Sequence, residues 1–330
     1  MSNTSTVTTF LLLSFSDIWE QNVLFFSLLL VIYLAALMGN FLIISVIYVD
    51  QRLHTPMYFF LVNLSVVDLG SISVTIPNAM INSLLNAREI SYSGCVAQVY
   101  SLFFFLIVDL FLLTGMAYDR YVAICDPLHY ETVMDRKGCI QMAASAWIVG
   151  LFYSALHTGS TFANTFCSNV LNQFFCEIPQ LLKISCNNLY LIEVGVVVFS
   201  AFIVFSCFGF IVVSYVQIFK SVLRIPTTQG RNKAFSTCIP HLIVVSLFIS
   251  TGSFAYLKPT SGSPSNLDLV VAVLYSVVPP LMNPIIYTMR NRDIKAALGK
   301  MIQGGVPSLI TASFTSIHLI SSFVGFNFGK

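Results

Sequence analysis

The sequence predicts an all-α membrane protein, a bundle of seven transmembrane helices with the N-terminus extracellular and a short amphipathic helix after the seventh span. Three observations predict it. Only 9% of the 330 residues are charged while 56% are hydrophobic, including 29 Phe, too little charged surface for a soluble chain of this length. Seven segments are each about 20 apolar residues long or more, enough to cross the hydrocarbon. The basic residues gather in alternate loops.

The spans run at about 23–48, 57–84, 93–118, 140–160, 194–219, 234–257 and 268–289. Lipid offers the backbone no hydrogen bonds, so these segments must be helices; a barrel would show short alternating strands instead. They divide the chain into an external tail (1–22), a helical domain (23–289) and a cytoplasmic amphipathic helix with its tail (290–330). One side holds Arg52, then Arg120, Arg136 and Lys137, then Lys220, Arg224, Arg231 and Lys233, and finally Arg290, Arg292, Lys295 and Lys300. The other side holds only Arg88, Lys183 and Lys258. The positive-inside rule makes the first set cytoplasmic. No Lys or Arg precedes Arg52, so the first helix is expected to act as its own signal anchor in a multi-pass plasma-membrane protein. The net charge of +2 is no argument for a nucleic-acid partner.

Asn3-Thr4-Ser5 is a glycosylation sequon on the external tail, whereas Asn63-Leu64-Ser65 lies inside the second helix and is expected to be silent. Of the eight cysteines, Cys95, Cys167, Cys176 and Cys186 fall outside, where disulfides persist. Four cysteines allow three pairings, which spacing alone leaves open. Three of them sit in the longest external loop, about 161–193, which reads as a lid over a cavity or as an ordinary stapled loop.

An acid at the bilayer centre costs about 2.5–3.5 kcal/mol on insertion scales, so each one needs a reason. Asp68 follows Met57 by 11 positions and Asp109 precedes Arg120 by 11, which puts both about 16 Å from the inner surface. Asn40 reaches a similar depth and Asn283 lies somewhat lower. Four helices thus converge polar groups on one level. They can serve as interhelical glue, or as a hydrated cluster that rearranges with the bundle and can hold Na+. No ladder of ionisable residues joins this level to either surface, which favours a switch over a proton pump. Pro279, Pro280 and Pro284 lie in the seventh helix and favour kinks there.

Gly39-Asn40, LHTPMYFFLVNLSVVD (53–68), MAYDRYVAIC (116–125), Ser214-Tyr215, KAFSTCIPH (233–241) and PPLMNPIIY (279–287) together resemble the rhodopsin-like G-protein-coupled receptors. The second, third and fifth resemble the olfactory receptors in particular. The similarity covers about residues 10–300 in the correct order. It implies a small volatile odorant as ligand and a stimulatory heterotrimeric G protein as partner. Arg120 is then restrained by Asp119 at rest and exposed on activation, with Tyr121 completing the triplet. Tyr215 and Tyr287 swing inward with it, and Asn283-Pro284 form the hinge. Lys233, Cys238 and His241 line the inner end of a moving sixth helix. Asn40, Asp68 and Asp109 form the central cluster. Cys95 pairs with Cys176, and Cys167 with Cys186.

Two departures from the resemblance stand out. Olfactory receptors usually carry Phe-Tyr-Gly in the sixth helix where this chain has Phe248-Ile249-Ser250, and His-Phe-Phe-Cys where it has Gln173-Phe174-Phe175-Cys176. The second removes the support for a metal role of that loop. The ligand pocket is expected between helices three, five, six and seven, lined by Phe103, Leu106, Ile107, Phe199, Ile203, Ile249, Gly252, Tyr256 and Ser276. That lining is apolar with a few hydroxyls, suited to a small organic molecule. It lacks the acid that an amine would require.

A non-olfactory receptor of the same superfamily is the alternative, followed by a transporter or channel using Asp68 and Asp109. An enzyme is not expected: there is no HExxH, no nucleophile elbow and no GxGD motif. Residues 291–301 read as an amphipathic helix on the inner surface. The uncharged stretch 303–329, broken by Gly304, Gly305 and Pro307, reads as a surface-lying or disordered extension.

Overall fold

The computed structural model describes residues 7–13, 16, 18–85, 88–186, 190–224, 226–257 and 266–303. Seven long helices and one short one dominate them: α1 (Trp19–Val49), α2 (Pro56–Leu85), α3 (Tyr92–Cys125), α4 (Arg136–Phe162), α5 (Tyr190–Leu223), α6 (Thr228–Leu257), α7 (Asn266–Arg290) and α8 (Arg292–Gln303). Six of the described helices have the length and apolarity to cross a membrane. The seventh, α7, has 25 residues, about 38 Å of helix, and completes the bundle.

Every helix outruns its apolar segment, because intrahelical hydrogen bonds continue after the hydrocarbon ends. Side-chain caps mark where two of them begin. Ser91 Oγ accepts from Gly94 N at 3.1 Å at the start of α3, and Asp135 Oδ1 accepts from Gly138 N at 2.7 Å at the start of α4. Both groups satisfy amides that the first turn leaves unpaired. The extension matters most in α3, which runs on to Cys125 and carries Asp119, Arg120 and Tyr121 on a regular helix.

The central helix α3 packs against α2, α4, α5 and α6, while α1 lies on α2 and α7. Small residues bring the backbones together, as membrane packing requires. A Cβ on Gly39 would stand 3.0 Å from the Pro284 ring, and one on Gly70 would overlap the Phe105 ring. The inner half of the core joins Ile43, Leu61, Leu113, Ile218, Val244 and Tyr287, whereas the outer half joins Phe10, Phe103, Ile107, Tyr153, Leu171 and Leu181. In α8, Ile294, Ala297 and Met301 are buried, a one-sided stripe at helical spacing. Asn291 Oδ1 caps it by accepting from Asp293 N and Ile294 N at 2.9 and 3.2 Å.

The external surface holds an element not expected from the sequence. Strand β1 (Thr9–Leu11) pairs antiparallel with β2 (Glu89–Ser91), Phe10 opposite Ile90. Leu11 N also donates to Asn169 O at 2.7 Å, and Leu171 N to Leu11 O at 2.8 Å. The N-terminal segment is therefore woven into the long external loop. Phe10, fully buried, seals it edge-on against Phe166 at 5.4 Å. The loop is pinned by Cys95–Cys176 and Cys167–Cys186, each with Cα atoms 5.5 Å apart.

Candidate functional site

Three levels of the bundle carry its polar chemistry. At the inner end, Asp119 and Arg120 are both buried. Among the described residues no ion pair within 4 Å joins them, which corrects the expectation that Asp119 clasps Arg120. The Asp119 carboxylate instead accepts from Tyr130 Oη at 2.8 Å. Tyr130 opens a short helical turn, Tyr130–Val133, between α3 and α4, and burial beside the Asp119 carboxylate pushes its phenol up from the ordinary value. Arg120 Nε is buried without a hydrogen-bond partner. Tyr121 is half-buried against the inner core.

Across from this triplet, Tyr215 Oη and His241 Nδ1 are 2.7 Å apart with their rings stacked at 5.7 Å, so α5 and α6 are joined at the inner end. Cys238, one turn away, is buried in the same core. Tyr287 Oη points at Met116 Sδ, 4.0 Å away. Two contacts link this end to α8: Tyr58 Oη lies 3.2 Å from Asn291 Oδ1 and 3.3 Å from Asp293 Oδ2. The side chain of Lys233 lies outside the described residues.

At the middle level, Asn283 Nδ2 donates to both Asp68 oxygens at 3.2 and 3.0 Å. Asn40 Nδ2 donates to Pro280 O at 2.9 Å and to Ala36 O at 3.0 Å. The Pro280 carbonyl would normally take the amide of residue 284, but Pro284 has none, and Asn40 supplies a donor in its place. Asp109 Oδ1 is buried with no hydrogen-bond partner. The structure thus brings Asn40, Asp68 and Asn283 onto one seam between α1, α2 and α7, with Asp109 facing it from α3. Their oxygens are carboxylate and amide, and two of them, Asp109 Oδ1 and Asn40 Oδ1, are buried without a partner, a hard-oxygen set that fits a small cation. Asn63, the second sequon, is buried and accepts from Trp147 Nε1 at 3.1 Å, a purely structural use.

At the outer level, Phe103, Ile107 and Ile203 share one apolar cluster with Tyr153 and Cys207. Leu106 is half-buried. Phe199 is 47% exposed and does not join Ile203: the α5 face bearing Phe199 and Phe202 turns outward, where lipid rather than a pocket receives it. Ile249 is half-buried and packs against the inner core. Ser276 is buried, and its hydroxyl donates to its own helix at Val273 O, 3.1 Å. The surroundings of Gly252 and the side chain of Tyr256 lie outside the described residues, as does Asn3.

This level also contains a group that sequence reasoning missed. His157 of α4 lies between Tyr153 and Phe103, ring centroids 4.4 and 4.9 Å away, and Nε2 meets Ser200 Oγ at 2.6 Å. The signal that points to it is a polar side chain inside the apolar fourth span, where it needs a reason as the buried acids do. No spacing rule links Tyr130 to Asp119, because a loop rather than a helix brings them together. A separate open groove of about 870 Å³ runs over the outer face of α1 and α2, bordered by Phe105 and Trp147. Its lining is mostly apolar and includes the Tyr33–Ser73 hydroxyl pair at 3.1 Å, and on α2 it reaches Leu69 and Gly70, beside the middle level.

Comparison with known proteins accounts for this arrangement. The sequence profile described as olfactory receptor matches residues 29–304. The chain is similar to the human olfactory receptor 14A16, 50% identical over 92% of this chain and 98% of that one. It is also similar to the human olfactory receptors 14C36, at 49% over 92% and 97%, and 14I1, at 52% over 91% and 97%. The buried carboxylate seam, the Asp-Arg-Tyr end of α3 and the disulfide-pinned external loop are thus features of a multi-pass plasma-membrane protein without enzymatic activity, and the chain belongs to the olfactory receptors, the odorant-sensing family of G-protein-coupled receptors.

Proposed function

We propose that a small volatile odorant, held in the outer half of the bundle beside Phe103, Ile107 and Ile203, activates a stimulatory heterotrimeric G protein through the inner end and so raises cyclic AMP. The observation that carries this reading is the Tyr130–Asp119 hydrogen bond. It engages Asp119 Oδ1 without an ion pair to Arg120, so the guanidinium, buried at the cytoplasmic end of α3, is free to turn to a partner helix when the inner end opens. A charge that trades an internal acid for a partner's carbonyls is a bistable element. Ligand need only bind one of the two arrangements better to shift their populations.

The other residues fall into place around that element. Tyr215 and His241 couple α5 to α6, so a displacement of either helix must break or carry that bond. Asn283 and Pro284 supply the hinge, and Tyr287 lies one turn below it. Lys233 contributes charge at the inner end of α6. Asp68 and Asp109 would hold Na+, which would stabilise whichever arrangement keeps the two carboxylates together. The bilayer surrounds residues 23–289, with 1–22 outside and 290–330 inside, and Asn3 carries glycan.

The test is a cyclic-AMP reporter assay of the full chain in cells, with surface staining as control. Arg120→Ala should abolish the odorant response at unchanged surface level. An undiminished response overturns the proposal.

A further inference from the structure

Ser200 has one proton and three polar neighbours: the Val196 carbonyl, the His157 imidazole and the Tyr153 hydroxyl, which can donate its own proton to the serine oxygen. Its Oγ lies 2.6 Å from Val196 O, a carbonyl that can only accept, and 2.6 Å from His157 Nε2. Two oxygens that close without a proton between them would repel, so the hydroxyl donates to Val196. The contact with His157 then needs its own proton, which the imidazole must supply from Nε2. That fixes the tautomer. Nε2 carries the hydrogen, and Nδ1 is a bare acceptor with no hydrogen-bond partner among the described residues, on a side chain only 7% exposed. The ring is held in place by Phe103, nearly parallel at 18° and 4.9 Å, and by Tyr153 at 4.4 Å.

We propose that His157 is the polar anchor of the ligand pocket, and that it selects small apolar molecules carrying one hydroxyl, an aliphatic alcohol or a phenol, whose O–H donates to Nδ1. The proposal rests on the odorant-sensing reading above and names its ligand class. In the outer core cluster beside it, Phe103, Ile107, Leu110, Ile203 and Phe248 offer no acceptor, and the Tyr153 hydroxyl is engaged with Ser200. A ligand with a proton to give gains a hydrogen bond there, while one with only an acceptor faces the Nδ1 lone pair. Discrimination by a buried group left unpaired exceeds discrimination by shape alone. The Ser200 bond matters because it stops the ring from presenting N–H in place of the lone pair.

The experiment uses the full-length receptor in cells with a cyclic-AMP reporter. The probes are primary alcohols of four to ten carbons and alkylphenols, each beside its methyl ether and, for the alcohols, the chain-matched aldehyde. Hydroxyl compounds should act at concentrations roughly 10-fold lower than their ethers and aldehydes. His157→Phe keeps the ring packing and should remove that difference at unchanged surface level; Ser200→Ala, which frees the tautomer, should shrink it. Equal potency of alcohol and ether, or a preference that survives His157→Phe, overturns the assignment. If only aldehydes, ethers or hydrocarbons activate, the hydroxyl class falls while the receptor reading stands. If nothing activates and Arg120→Ala leaves basal cyclic AMP unchanged, both fall.

Discussion

Replacing Tyr130 with Phe removes one oxygen and tests how the inner end is set. Asp119 is 2% exposed, and the Tyr130 hydroxyl is its hydrogen-bond donor at 2.8 Å. A hydrogen bond to a charged group contributes about 1.5–3 kcal/mol. Without it the carboxylate must find another partner, and the guanidinium of Arg120, adjacent in sequence with an unpartnered Nε, is the nearest. The equilibrium between a Tyr130-bound and an Arg120-bound carboxylate should therefore move toward the ion pair by about 10- to 150-fold. In cyclic-AMP assays at matched surface level, basal signalling should fall and the odorant concentration for half response should rise, by about 10-fold or more. Tyr130→Phe with normal or raised basal signalling would refute the reasoning, because Asp119 would then not be competing for Arg120. The phenol keeps its proton between pH about 6 and 8, since burial beside Asp119 raises its pKa, so Tyr130 remains a donor throughout that range.

Three further outcomes follow from particular contacts. Gly70→Ala places a methyl group inside the Phe105 ring and should cost about 1–3 kcal/mol, read as lost surface expression or a lower melting temperature in detergent; Gly70→Ala with Phe105→Ala should recover part of it. Cys95→Ser opens a crosslink spanning 81 residues and should lower stability by about 2–5 kcal/mol, with faster proteolysis of the external loop while Cys167–Cys186 stays closed. The Arg52 side chain holds Asp50, just past α1, down to about 2 from 3.8. A depressed carboxylate contributes stability above its unfolded pKa and loses it as pH falls through the folded one. The melting-temperature difference between wild type and Asp50→Asn should therefore be small, as for a surface pair, and constant from pH 7 to about 4.5; a difference that vanishes near pH 6 would exclude the pair as its source.

The sequence by itself determined the number of spanning helices, their direction and the depth of the polar level. Those quantities depend on one chain property each: the length of an apolar run, the side on which Lys and Arg lie, and a rise of 1.5 Å per residue. Depth counting put Asp68, Asp109, Asn40 and Asn283 near one plane, because position along a helix axis is a local quantity. It could not say which would touch, since the angle around the axis is fixed only when neighbouring helices pack. Tertiary structure gave Asn283 to Asp68 and sent Asn40 to the Pro280 carbonyl. It turned Phe199 to the outside although Ile203, four residues on, faces the core, and it exchanged the expected Asp119–Arg120 clasp for Tyr130. It also brought Phe10 into the lid and His157 against Ser200. Each of those contacts joins residues through a loop or across two helices, where the geometry follows from how side-chain volumes fit together and from no periodicity that a single chain displays.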